Sequence, residues 1–139
     1  MSGVSEGSDS LRHFNITMAK LKAAILVVSD TAANDPSSDR VIGALSDVLA
    51  TEAANWEAPV TKIIPDDVLQ IQRALCEWTD GPDIVNLVLL SGGTGFAVKD
   101  NTPEVVSPLL HRHAPGLVHG MIASSLQVTP CMLSVVCSR

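Results

Sequence analysis

The chain of 139 residues is long enough for one domain with a buried core, and its formal net charge of −6 argues against a nucleic-acid surface built from basic patches. Apolar residues make up 46% of it, but only two Trp and two Phe are present and Tyr is absent, so we expect an aliphatic core. No apolar run approaches the length of a membrane span, and the three cysteines lack C-x-x-C spacing, which favours reduced thiols in a cytoplasmic protein over disulfides or a zinc site.

The first half of the chain predicts two strands and two helices. Residues 1–20 are rich in Ser and Gly and lack an apolar segment, so we expect a flexible leader rather than a secretory signal. The uninterrupted apolar run 23–28 predicts a strand that is buried on both faces. Apolar residues at helical spacing over 41–49 predict a helix, segment 60–64 predicts a second strand, and 68–78 predicts a second amphipathic helix.

The second half predicts a third strand, two more helices and a last strand. The apolar run 84–90 has the composition of a buried strand. After a glycine-rich segment, Thr102 is the expected N-cap of a helix whose apolar side continues to Leu110. Segment 117–126 predicts a further helix, and 132–136 predicts the last strand.

Strands that alternate with helices indicate an α/β fold in which helices cover both faces of a mostly parallel sheet. In such sheets ligands bind beyond the carboxyl ends of the strands, and right-handed crossovers bring those ends to one edge. The three strands end at Ser29-Asp30, Pro65-Asp66 and Ser91-Gly92. We therefore expect Asp30, Asp66 and Asp100 to converge. A simpler alternative exists for two of them, since Asp30 also suits a turn and Pro65-Asp66 suits the N-cap of the following helix.

The glycine segment Gly92-Gly93-Thr94-Gly95 joins a predicted buried strand to a helix with Pro103 at its first position. Glycines let a backbone approach a ligand closely, and helix N-terminal N–H groups attract phosphate or carboxylate. Asp100 between the two suggests a metal ion as well. The segment lacks the Lys of a P-loop and the full dinucleotide-binding spacing, so a turn without a ligand is the alternative interpretation.

The three histidines of the second half do not have the pattern of a metal site. His111 and His113 fall on different faces of a helix, and His119 lies beyond Pro115-Gly116. Surface histidines are the simpler expectation. No Ser or Cys has a His partner in the sequence, so nothing supports nucleophilic catalysis, and Trp78 is expected to serve in packing.

Taken together and in their order along the chain, the motifs of this sequence resemble those of the molybdopterin adenylyltransferase family, which includes the gephyrin G domain. The resemblance extends from about Ala23 to Ser134. The motifs that carry it are Val28-Ser29-Asp30-Thr31, Ile64-Pro65-Asp66-Asp67, Gly92-Gly93-Thr94-Gly95, Asp100-Asn101-Thr102-Pro103-Glu104, Ala114-Pro115-Gly116-Leu117, Ser125-Leu126-Gln127-Val128-Thr129-Pro130 and Met132-Leu133-Ser134.

The resemblance implies a three-layer αβα sandwich over residues 21–139 that assembles as a homotrimer. It also implies transfer of AMP from Mg-ATP to the terminal phosphate of molybdopterin, with release of pyrophosphate. Carried over by position, Asp66 and Asp100 would be catalytic and would bind Mg²⁺. The implied nucleotide- and substrate-binding residues are Ser29, Asp30, Gly92, Gly93, Thr94, Gly95, Thr102, Pro103 and Glu104, with Ser125, Thr129 and Ser134 on the pterin side.

The chain departs from the family pattern in two places. Asp39-Arg40-Val41-Ile42-Gly43 lacks the usual Ser-Gly pair at the start of the first long helix, which is expected to alter the entry to the site. The family also continues beyond the Met-Leu-Ser segment, so we expect this chain to lack the usual C-terminal strand and helix. A truncated isoform, a fragment and a faulty gene model would each give this ending.

Two other functions compete with the enzyme. Gephyrin-type domains also cluster partner proteins, so a non-catalytic scaffold or oligomerisation module, or an inactive truncated isoform, is one alternative. A generic nucleotide-binding α/β domain is another. The resemblance leaves open a fused or partner molybdate-insertion domain.

Overall fold

The computed structural model describes residues 19–128, in which a parallel sheet lies between two layers of helices. The strand order is β2-β1-β3, with β1 at Ala23–Val28, β2 at Val60–Ile64 and β3 at Leu87–Ser91. Both outer strands run parallel to β1. The predicted α/β fold is therefore confirmed, and the first two strands have the predicted bounds.

Five α-helices accompany the sheet in the described residues. Helices carry the chain between successive parallel strands, because a parallel connection must cross from one end of the sheet to the other. Their bounds are α1 Asp30–Asn34, α2 Val41–Thr51, α3 Val68–Asp80, α4 Thr102–Val106 and α5 Pro115–Val128.

Strand β1 divides the hydrophobic core into two halves. All six of its residues are buried, and successive side chains of a strand point to opposite faces. Leu26 belongs to the half that contains Ile71 and Trp78 of α3, which confirms the packing role of Trp78. Ile25 belongs to the other half, with Leu49 of α2. Both helical layers thus pack against one fully buried strand, β1, and this packing determines the position of its carboxyl end.

The third strand begins at Leu87, so the predicted start at residue 84 is wrong. Ile84 is 59% exposed. The Lys22 carbonyl oxygen accepts hydrogen bonds from the N–H groups of Asn86 at 2.8 Å and Leu87 at 3.2 Å. The Lys22 N–H donates to the side-chain oxygen of Asn86 at 2.8 Å. Because the side-chain oxygen of Asn86, rather than a backbone carbonyl, accepts the Lys22 N–H, the regular backbone ladder between β1 and β3 begins one residue later, at Leu87.

The helix after the glycine segment is shorter than predicted. Helix α4 ends at Val106, and a 3₁₀ turn over Ser107–Leu109 follows, while Leu110 is half exposed. Pro108 explains the end of the helix, because proline has no N–H to donate and its ring conflicts with the preceding turn.

Two helix N-caps also differ from the prediction. Thr102 is the first residue of α4 and Asn101 occupies the N-cap position, without a capping bond from its side chain. Asp67, rather than Asp66, caps α3, and its carboxylate accepts a hydrogen bond from the Gln70 N–H at 2.8 Å. Neither Thr102 nor Asp66 is therefore used to cap a helix.

Helix α5 contains the predicted helix 117–126 and begins at Pro115, a favoured residue for the first turn of a helix. None of its residues is buried. Between residues 19 and 128 the structure has no helix that combines the length and the apolar character needed to cross a bilayer. The predicted strand 132–136, and the predicted leader as far as residue 18, lie outside the described residues.

Candidate functional site

The glycine loop between β3 and α4 has a backbone that only glycine adopts readily. Gly92 and Gly93 have φ angles of 99° and 60°, in the left-handed region. A Cβ atom on Gly92 would overlap the carbonyl oxygen of Val28 at the end of β1. The loop therefore lies directly against the carboxyl end of the central strand.

Gly93 is the point where three segments meet. A Cβ atom here would overlap Thr102 Oγ1 and would lie 2.8 Å from Asp66 Oδ1. The Thr102 N–H donates to the Gly93 carbonyl oxygen at 3.0 Å. The absence of a side chain at position 93 is what lets the β2 end and the first turn of α4 approach each other.

Two buried oxygen atoms without partners lie at this point, and a third belongs to the residue before Thr102. Asp66 Oδ1, Thr102 Oγ1 and Asn101 Oδ1 are shielded from solvent, and in the described residues none has a hydrogen-bond partner. Buried polar atoms are nearly always paired in folded proteins, and an unpaired one commonly marks a ligand, an ion or a functional role. These oxygens are suited to a cation or to the donor groups of a ligand.

Asp100 is held by its own loop. Its Oδ2 atom accepts a hydrogen bond from the Ala97 N–H at 3.2 Å, and its N–H donates to the Ala97 carbonyl oxygen at 2.9 Å. A Cβ atom on Gly95 would overlap the same carboxylate oxygen. Gly95 thus provides the space in which the Asp100 carboxylate lies.

Asp30 connects the ends of all three strands. It lies two residues beyond the end of β1 and begins α1, whose N-cap Ser29 accepts a hydrogen bond from the Ala32 N–H at 3.2 Å. Asp30 Oδ1 accepts from the Asp66 N–H at 3.0 Å, beyond the end of β2. Its other oxygen, Oδ2, lies 2.8 Å from Lys99 Nζ in the glycine loop. The structure therefore brings Asp30, Asp66 and the loop together.

Lys99 is the residue that the sequence interpretation missed. The hydrogen bond from Lys99, followed by that from the Asp66 backbone, lowers the pKa of Asp30 below its usual value. Asp30 in turn raises the pKa of Lys99, with smaller contributions from the charges of Asp66 and Asp100. Three acidic residues predicted to converge should have prompted a search for a neighbouring cation, and Lys99 is the nearest one in the sequence to Asp100.

An open cleft of about 400 Å³ lies beside the glycine loop at the ends of β1 and β3. Ser29 and Gly92 line it on the sheet side, and Arg40 lines it on the side of α2. Asp39 is occupied in capping α2, since its two oxygens accept from the N–H groups of Val41 at 3.2 Å and Ile42 at 3.0 Å. The segment that departs from the family pattern therefore forms one wall of the cleft.

The remaining predicted residues are placed less closely together. Pro103 and Glu104 lie in the first turn of α4, with Glu104 exposed, and Thr94 is half-buried in the loop. Ser125 lies on α5, in a groove lined by α5 residues alone, so the structure does not place it with the loop. Thr129 and Ser134 lie outside the described residues.

The structure also bears on metal binding. Over residues 19–128, no three or more His, Cys, Asp or Glu side chains gather as a metal cage. The histidines at 111, 113 and 119 are exposed, as predicted for surface residues, and Cys76 is a free, exposed thiol. Any cation held by Asp66 and Asp100 would depend on further oxygen atoms from a ligand, which is how Mg²⁺ usually binds beside phosphates.

Comparisons with known proteins identify a family. Residues 24–136 match a family model described as "Probable molybdopterin binding domain". The chain is 42% identical over 76 residues to gephyrin of Dictyostelium discoideum, a match that covers 54% of this chain and 10% of gephyrin. It is 33% identical over 113 residues to molybdopterin adenylyltransferase of Escherichia coli, covering 81% of this chain and 57% of that enzyme. The chain thus spans less than two thirds of each of these relatives.

Solved structures show the same fold. The Mog protein of Mycobacterium ulcerans superposes with a TM-score of 0.72 at 24% identity, over 84% of this chain and 73% of that one, which is evidence of the fold alone. The molybdopterin biosynthesis enzyme MoaB of Thermus thermophilus superposes with a TM-score of 0.57 at 27% identity, over 82% and 67% of the two chains.

Proposed function

Because the chain belongs to the molybdopterin-binding domain family, we propose that it acts in molybdenum cofactor biosynthesis as a molybdopterin adenylyltransferase. The observation that carries the proposal is the meeting of Gly93, Asp66 and Thr102 at the carboxyl edge of the sheet, where two of these side chains present buried oxygens without partners. The similarity to the Escherichia coli adenylyltransferase supports the choice of reaction.

The proposed reaction makes modest demands on the protein. A terminal phosphate oxygen of molybdopterin attacks the α-phosphorus of ATP, a new phosphoanhydride bond forms, the bond to the β-phosphate breaks and pyrophosphate leaves. The attacking oxygen is already anionic, so no general base is needed. Catalysis then consists of aligning two anions and stabilising the charge that develops between them.

The residues of the loop are suited to this alignment. The backbone around Gly92 and Gly93 packs closely against the end of β1, Asp66 and Thr102 because no side chain intervenes. Glycine-rich backbone of this kind is commonly used to bind phosphate oxygens through its N–H groups. The adjoining cleft, lined by Ser29, Ser91 and Arg40, offers hydroxyl groups and one cationic side chain to an anionic substrate. We assign nucleotide and substrate binding to this cleft and loop.

Asp66 and Asp100 are the residues that would hold Mg²⁺. The fit rests on Asp66 Oδ1, a buried carboxylate oxygen without a partner, and on the Asp100 carboxylate in the adjoining loop. When bound with ATP, Mg²⁺ neutralises charge on the phosphate oxygens. Asp66 and Asp100 would hold the ion, and Gly93 and Gly95 leave room for their carboxylates because a Cβ atom at either position would meet one of them.

Pyrophosphate release tests the proposal. Purified chain, incubated with Mg-ATP, should release pyrophosphate when molybdopterin is added and not without it. A protein that melts cooperatively and yet releases none would contradict the proposal, because a cooperative transition shows that the domain is folded.

One observation favours a second function, that of a scaffold or oligomerisation module. Helix α5 has no buried residue, and its Leu117, Met121 and Val128 are more than half exposed. An apolar surface of this kind commonly serves association with other protein surfaces. We propose a homotrimer as the assembly, and a folded trimer without adenylyl transfer would favour the scaffold over the enzyme.

A further inference from the structure

The segment from Thr94 to Asp100 has very little attachment to the rest of the domain. The hydrogen bonds of Ala97 and Asp100 are made with each other, within the segment. Among the hydrogen bonds between residues 19 and 128, the one that links this segment to another part of the chain is the ion pair of Lys99 with Asp30. The contact between Lys99 and Asp30 can therefore fix the position of the loop and of Asp100 within it.

The other oxygen of Asp30 contacts the backbone of Asp66. Asp30 Oδ1 accepts the Asp66 N–H at 3.0 Å, while Oδ2 lies 2.8 Å from Lys99 Nζ. One side chain at the end of β1 thus connects the backbone of Asp66 to the loop that carries Asp100.

We propose that Asp30 and Lys99 are positioning residues, a bridge that fixes Asp100 relative to Asp66 and so aligns the site for phosphoryl chemistry. The catalytic part of this inference rests on the proposed function, whereas the mechanical part does not. The bridge consists of the 2.8 Å contact between Lys99 Nζ and Asp30 Oδ2 and the 3.0 Å hydrogen bond from the Asp66 N–H to Asp30 Oδ1.

Hydrogen exchange tests the mechanical part without any substrate. Asp30→Ala removes both contacts and should speed exchange at the Asp66 amide and at the Ala97 and Thr102 amides. Asp30→Asn keeps an oxygen for the Asp66 N–H but loses the charge that holds Lys99, so the loop amides alone should exchange faster. Lys99→Met should reproduce the loop effect and leave the Asp66 amide protected, because amide exchange reports local opening.

A matched control comes from another exposed ion pair. Lys62 lies 3.1 Å from Glu77, with side-chain exposure of 43% against 60% for Lys99, and the pair joins β2 to α3 away from the loop. Lys62→Met removes a comparable ion pair and should leave exchange in the loop unchanged. Equal exchange at the loop amides in Lys99→Met, Lys62→Met and the parent chain would overturn the bridge.

Measurement of kcat and KM distinguishes a positioning role of Lys99 from direct binding of the nucleotide. A displacement of about 1 Å in a catalytic group can cost roughly 100-fold in rate, so Lys99→Met should lower kcat on that order with a smaller change in the KM for ATP. Lys99→Arg keeps the charge and should restore most of the rate. A rise in KM with unchanged loop exchange would show that Lys99 binds the nucleotide instead, and unchanged kcat in Lys99→Met would also refute the positioning role. If the parent chain releases no pyrophosphate, the proposed function fails while the exchange measurements still decide the bridge.

Discussion

At the scale of single residues, position 93 controls how the site is built. A side chain there would displace Thr102 Oγ1 and Asp66 Oδ1, two of the buried oxygens that have no hydrogen-bond partner in the described residues. The glycine also has a φ of 60°, which other residues adopt at a cost. Steric exclusion and backbone conformation therefore select the same residue.

Gly93→Ala should destabilise the fold by about 2 kcal/mol, from left-handed backbone strain together with the overlap of side chains. Gly43→Ala is the matched control, because nothing lies within 4 Å of the added methyl group and the residue is inside helix α2. That control should gain about 0.5–1 kcal/mol from helix propensity. Chemical denaturation measures both, and equal stability of the two variants would contradict the packing described at position 93.

Also at this scale, Asp30 and Lys99 give stability a defined pH dependence. The pKa of Asp30 is lowered from 3.8, so its contribution is present above that value and is lost as pH falls through the lower folded-state pKa. The pKa of Lys99 is raised from 10.5, so its contribution is present below that value and is lost as pH rises through the folded-state pKa. The Tm difference between the parent and Asp30→Asn should therefore be constant between about pH 5 and 9 and shrink outside those limits. A difference that changes steadily across the neutral range would contradict the assignment.

At the scale of elements, the strands and long helices were predictable because their signals are local. The run Ala23–Val28 is buried on both faces, and an uninterrupted apolar sequence has that meaning wherever it occurs. The start of β3 was not predictable, because the Asn86 side chain pairs with the Lys22 backbone, 64 residues away in the sequence. The early end of α4 was available in the sequence, since Pro108 interrupts the predicted helix.

The N-cap predictions show how an error of one residue changes the role expected of a site residue. Asp66 and Thr102 each suit an N-cap by residue type, but the neighbouring Asp67 and Asn101 occupy those positions. Residue type alone cannot choose between adjacent Asp66 and Asp67, because the choice depends on where the chain leaves β2. Lys99 is a different case. It is next to Asp100 in the sequence, so the expected convergence of acidic residues already pointed to it, and only the identity of its partner, Asp30, required the fold.

Asp67→Ala tests the cap of α3 directly. The change removes the hydrogen bond to the Gln70 N–H and should cost about 1 kcal/mol of folding stability. Asp83→Ala removes another acidic side chain, 92% exposed and 3.7 Å from Lys22, and should stay within about 0.5 kcal/mol of the parent. If Asp67→Ala were as stable as Asp83→Ala, Asp67 would not act as the cap.

At the scale of the whole molecule, topology explains why the meeting of the strand ends could be predicted from the sequence. Parallel strands in the order β2-β1-β3 place three carboxyl ends side by side, so residues 30, 66 and 93 become neighbours although they are far apart in the chain. Of the residues that the resemblance assigns to the pterin side, Ser125 lies on α5, while Thr129 and Ser134 lie outside the described residues.

The exposed surface of α5 leads to a prediction about assembly. Leu117 and Met121 are 67% and 58% exposed on the same side of the helix, where they would contribute to an apolar interface. The parent chain should sediment as a trimer, and Leu117→Ser with Met121→Ser should shift it toward monomer while a cooperative melt is retained. A monomeric parent chain would exclude α5 as the interface of a stable trimer.

The central claim is that the carboxyl edge of this sheet transfers an adenylyl group, and transfer of labelled AMP from ATP to molybdopterin measures it most directly. Asp100→Asn changes one charge in a loop without removing a core contact, so the variant should fold like the parent. Its turnover should fall by about 100-fold or more if the carboxylate helps to stabilise charge on the phosphates. We expect labelled pterin from the parent and from Gly43→Ala, with almost none from Asp100→Asn. Equal labelling by the parent and Asp100→Asn would contradict the proposed adenylyl transfer.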